Sequence, residues 1–151
     1  MNEPEEYSID RPLPVTTLLL FVLCMTTWNG IRAWTTLTNW DILSRFRANP
    51  SYIFATGIVW FMIGIVLIIL FLKRNRIAPA CGLTLSILYL LWYWVDRLVI
   101  QAYPAPNIVF SIIVSIILLI TFNANLFWPS SQAFFKHPAN INKKSGYKES
   151  E

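Results

Sequence analysis

Three ionisable side chains fall inside otherwise apolar runs of this sequence: Arg32, Asp96 and Arg97. A charge at the centre of a bilayer costs at least about 2.5 kcal/mol on insertion scales, so each needs a partner or a purpose. Arg32 lies near the end of the first run, and Asp96 and Arg97 lie near the end of the third. If those two runs cross a membrane in the same direction, all three groups share one layer. Asp96 can then pair with Arg32 across a helix interface, while Arg97 extends toward water.

Polar and aromatic residues gather around the charges at helical spacing. Asn29, Arg32 and Thr36 repeat at i, i+3 and i+7 on one face; Tyr89, Trp92, Tyr93 and Asp96 repeat at i, i+3, i+4 and i+7 on another. Facing each other, they would line a recess with rings, an amide, a carboxylate and one or two guanidiniums. That mixture suits a lipid headgroup, a quinone-like ring or an amphipathic cation. The plainer reading is an ion pair with interfacial aromatics that set helix register. The candidate ligand-binding set is Asn29, Arg32, Tyr89, Trp92, Tyr93, Asp96 and Arg97.

Catalytic chemistry has little to work with. The two cysteines, Cys24 and Cys81, sit at different depths of their runs, too far apart to bridge. His137 is the only histidine, so no metal cluster assembles from His and Cys. Neither a serine beside a base nor a pair of carboxylates is evident. The expectation is a protein that is not an enzyme, with no metal and no cofactor. Basic residues flank apolar runs instead of forming a polar face, which argues against nucleic-acid binding.

The elements that must hold these residues follow from composition. Of 151 residues, 56% are hydrophobic and only 13% charged, against about a quarter charged in a soluble domain. The apolar residues form four runs, at about 15–34, 51–72, 81–102 and 108–127. Each run is about 20 residues, or about 30 Å as a helix, the thickness of the hydrocarbon core. The run over 51–72 contains no charge and no amide, and a chain this short cannot bury four such helices in protein. Pro14, Pro50, Pro79 and Pro106 fall at or just before run starts, and Pro129 follows the last run. No proline lies within a run, so continuous helices are expected. Gly57 and Gly64 supply a small-residue stripe for close helix contact, and Asn123 and Asn125 suit interhelical hydrogen bonds or exposure at the interface.

These features predict an all-α integral membrane protein, a four-transmembrane-helix antiparallel up-down bundle. A single transmembrane domain is expected over 1–127 and a cytoplasmic, largely disordered tail over 128–151. The acidic N-terminal segment and the long first run do not resemble a cleavable signal peptide. Eight of the twelve Lys and Arg lie in the N-terminal segment, the second loop and the tail, which places both termini on the cytoplasmic side of the plasma membrane. Trp34, Trp40, Tyr52, Trp94 and Tyr103 then mark the outer interface. In the first loop, Asn39 is expected to cap a short amphipathic helix carrying Trp40, Leu43 and Phe46.

Two functional classes remain. The first is a non-catalytic bundle binding a partner protein or lipid through the outer recess, its partners being the bilayer and either another membrane protein or a second copy of itself. The second is a small transporter of an amphipathic or cationic solute. A proton-coupled carrier needs an acidic group that titrates, and Val15 to Trp28 contains none. Asp96 would have to serve, whereas a binding role keeps it charged and paired.

Overall fold

The computed structural model describes residues 11–46, 49–100 and 107–136. Among them every regular element is a helix: α1 (Leu13–Thr38), α2 (Trp40–Arg45), α3 (Pro50–Leu72), α4 (Ala78–Val95), α5 (Ile108–Phe127) and α6 (Pro129–Lys136). Four are long and apolar enough to cross a membrane, with α4 counted together with the turn that extends it to Ile100. The third expected span ended at 102. Positions 101–102, Arg47, Tyr103, Pro106 and the tail from 137 lie outside the described residues.

Local chemistry explains most helix ends. Pro14, Pro50 and Pro79 all occupy the first turn of their helices, where a missing N–H is harmless. The Asn49 side chain accepts from the Tyr52 N–H at 3.2 Å and caps α3. Asn39 does not cap α2: its Nδ2 donates to the Thr35 carbonyl at 2.9 Å and closes the end of α1 instead. The short helix still forms, with Asp41 in its first turn and Arg45 in its last, charges that complement the helix dipole.

The exit from α3 is a paired C-terminal motif. Asn75 N–H donates to Leu70 O at 3.1 Å and Arg74 N–H to Phe71 O at 3.2 Å. The motif needs a left-handed residue, and Arg74 occupies that position with φ 50°. Its guanidinium lies 4.3 Å from the centroid of the Phe134 ring, a cation–π contact that ties the loop to α6.

One helix departs from the regular form expected. From Asp96 to Ile100, α4 continues as a wider π turn, and the Asp96 N–H points at both Trp92 O and Tyr93 O. No proline or glycine marks this place; the widening begins at the adjoining charges Asp96 and Arg97. Turns of this kind re-aim side chains and frequently accompany functional sites.

α1 and α3 make the closest packing. A Cβ added to Gly57 would lie 3.1 Å from Ala33 Cβ and 3.2 Å from Asn29 O, and one added to Gly64 would collide with the Thr26 side chain. Gly30 lies against Phe61 in the same way. Positions 26, 30 and 33 thus face 64, 61 and 57, so these two helices run in opposite directions. The glycine stripe is a packing surface, as small residues at such a seam allow backbones to approach.

Away from the charges, the helices close on a core of Val15, Leu18, Val22, Leu67, Phe71, Phe122 and Leu126. Helix α6, not anticipated from the polar tail sequence, folds back onto it. Phe134 and Phe135 are buried there, with Phe135 5.5 Å from Phe71 and Gln132 donating to Leu126 O at 3.1 Å. Most other apolar side chains face outward; Val66, Ile117 and Ile120 are each more than half exposed. Such a surface calls for apolar surroundings.

Candidate functional site: a polar recess and the cavity beneath it

The ion pair expected from the sequence forms. Arg32 Nη2 lies 3.6 Å from Asp96 Oδ2, with the Asp96 side chain 8% exposed. The distance makes it an ion pair without a direct hydrogen bond. Arg32 also stands over the Trp92 ring, its Cζ 5.1 Å from the centroid. One cation is thus shared between a carboxylate and a ring face.

Asn29 is 2% exposed. Its Nδ2 donates to Met25 O at 2.8 Å and makes a long contact to the Tyr89 hydroxyl at 3.4 Å. The Met25 carbonyl fixes which way the amide points, since only the nitrogen can face it. Asn29 Oδ1 has no hydrogen-bond partner among the described residues. Thr36 is buried on the same face, but its hydroxyl is committed to Arg32 O at 2.7 Å.

Arg97 and Tyr93 stand apart from this group as a second pair. Arg97 does not extend away from the helix: its Nη1 donates to the Tyr93 hydroxyl at 2.8 Å, one turn back on α4. The structure therefore brings Asn29, Arg32, Tyr89, Trp92 and Asp96 together and sets Tyr93 and Arg97 beside them.

Two members of the cluster were not foreseen, and both come from α3. Trp60 packs edge-on to Tyr89 at 4.8 Å and lies 5.5 Å from Trp92, while Tyr89 and Trp92 are themselves 5.5 Å apart. The Tyr52 hydroxyl faces Asp96 and Trp92, without the alignment of a hydrogen bond. The signal was present in the sequence: Tyr52 and Trp60 are eight apart and share a helix face. An uninterrupted apolar run hid it.

Beneath the cluster lies a cavity of about 560 Å³ bounded by α1, α3, α4 and α5, within the range of small-molecule sites. Its floor is apolar, made by Leu67, Gly82 and the mutually tilted rings of Phe21 and Phe122, whose centroids are 5.4 Å apart. Its upper wall carries Asn29, Tyr89, Tyr93, Ser111 and Ser115, and no charged side chain lines it. The exposed lining residues Cys24, Trp28 and Phe110 mark an open side between α1 and α5. Lower down, Asn123 Nδ2 reaches Ser86 Oγ at 3.5 Å and links α5 to α4.

No protein-family profile, curated protein or solved structure matches this chain.

Proposed function

We propose that this is a non-catalytic membrane protein, an up-down-up-down antiparallel bundle of α1, α3, α4 and α5 that holds a lipid-like amphipathic molecule in its cavity. The observation that carries the reading is the cavity itself: polar above, apolar below, and open sideways between two apolar helices. An amphipath in a bilayer has the same polarity gradient and would approach from the same side. The outward apolar surface supports a multi-pass membrane setting. The excess of lysine and arginine at the end holding Lys73, Arg76 and Lys136 supports cytoplasmic termini at a plasma membrane.

Transport of a cation has less support. The one acidic side chain described in the four long helices, Asp96, lies against Arg32 and does not line the cavity.

Purification in a mild detergent, followed by native mass spectrometry, tests the proposal. A lipid-sized mass should remain bound to the unaltered protein and be lost in Ser115→Phe, whose ring would occupy the cavity. Equal retention by both proteins would place the bound molecule elsewhere and remove the basis of the proposal.

A further inference from the structure

The polar wall of the cavity is unevenly equipped. The hydroxyl of Tyr89 already accepts from Asn29, and that of Tyr93 already accepts from Arg97. Neither tyrosine proton has an acceptor among the described residues, so each is left to donate. Ser111 and Ser115 also line the cavity, and their hydroxyls make no hydrogen bond among the described residues. The one carbonyl-type acceptor in this wall, Asn29 Oδ1, is itself shielded from contact. The two tyrosines are therefore poised as donors, while the serine hydroxyls can donate or accept.

Charge points the same way. Arg32 is matched by Asp96, and neither lines the cavity. Arg97 lies one residue behind the wall, and its donation to Tyr93 at 2.8 Å polarises that hydroxyl, making its proton a stronger donor. A cation entering here would meet the field of Arg97 and two tyrosine hydroxyls whose oxygens are already engaged. An acceptor oxygen would meet both tyrosine protons.

We propose that the cavity recognises the acyl oxygens of a single-chain lipid, the carboxylate of a fatty acid or the carbonyl of its ester, and rejects cationic amphipaths. The acyl oxygens face Tyr89 and Tyr93, and the chain runs down toward Phe21 and Phe122. This rests on the cavity being a lipid site, and it specifies which end-group chemistry the site takes.

The test offers four chain-matched probes in equal amounts to delipidated protein in detergent: tetradecanoate, methyl tetradecanoate, tetradecyltrimethylammonium and tetradecane. Retained masses are counted by native mass spectrometry. Both acyl probes should be retained about tenfold over the alkane and the ammonium, the factor expected from about 1.4 kcal/mol of hydrogen bonding. Tyr93→Phe, which cuts the link to Arg97 and keeps the ring, should lower tetradecanoate retention more than that of the ester. Tyr89→Phe should lower both. Retention of the ammonium probe at the level of the acyl probes overturns the end-group assignment, and so does equal retention of the alkane. Retention of none of the four overturns the lipid site itself. Because the four-probe comparison is made on the unaltered protein, it decides the question even if a variant fails to fold.

Discussion

The two ends of the four long helices solve opposite problems. At one end Val15, Leu18, Phe71, Leu126 and Phe135 are each 2% exposed or less, and α6 seals the helix ends. At the other end a buried carboxylate, two guanidiniums and a ring cluster stand above a space the side chains do not fill. Interiors normally pack to crystal-like density, and an unfilled volume forfeits contacts. The contrast teaches a division of labour, in which the closed end and the α1–α3 glycine seam hold the helices while the open end carries the unspent polar groups.

The largest effect should separate the ends directly. Phe71→Ala should cost about 3 kcal/mol of stability in a denaturation series in detergent, since it empties a sealed site. Trp60→Ala should cost less than half as much, because that ring already borders the cavity. Equal losses would mean that the open end is packed as firmly as the closed one, and the comparison would break.

The ion pair gives an effect of intermediate size. Arg32→Ala or Asp96→Ala should each cost about 2 kcal/mol, because each breaks an ion pair within the membrane-spanning helices. Exchanging the two residues should recover part of that loss. Additive damage in the exchanged protein would show that the pair contributes nothing as a pair.

The smallest effect lies in the loop after α3. Arg74→Ala keeps the left-handed backbone strain and loses the contact to Phe134, so it should cost about 1 kcal/mol. Arg74→Gly loses the same contact but relieves the strain, and its thermal midpoint should stay close to that of the unaltered protein. If glycine proves as costly as alanine, then φ 50° at this position carries no strain worth relieving.

Much of this arrangement was legible in the sequence, for identifiable reasons. Continuous apolar runs bounded by prolines located the long helices, and the expected span 108–127 coincides with α5. The cost of intramembrane charge predicted that Arg32 and Asp96 would meet. What escaped depends on three-dimensional neighbours. Tyr52 and Trp60 share a face of a run without charge or amide, and that spacing alone does not distinguish members of a polar cluster from interfacial rings. Phe134 and Phe135 follow a proline and sit in a polar tail, where only docking against Phe71 gives them a core to enter. The widening at Asp96 has no glycine or proline to announce it. The cavity is legible in no single residue, because an unfilled volume is a property of how four helices fail to touch.

The sideways mouth between α1 and α5 has a consequence for affinity. A ligand that enters through it moves from one hydrocarbon environment to another, so its chain leaves no water behind and gains no hydrophobic driving force. Lengthening the chain would raise how much of the molecule dissolves in the membrane without raising how firmly the site holds it. Discrimination then falls to the few polar atoms near Tyr89 and Tyr93, and occupancy follows the ligand's mole fraction among the surrounding lipids, not its aqueous concentration. In the proposed lipid site, occupancy would therefore track the composition of the surrounding membrane.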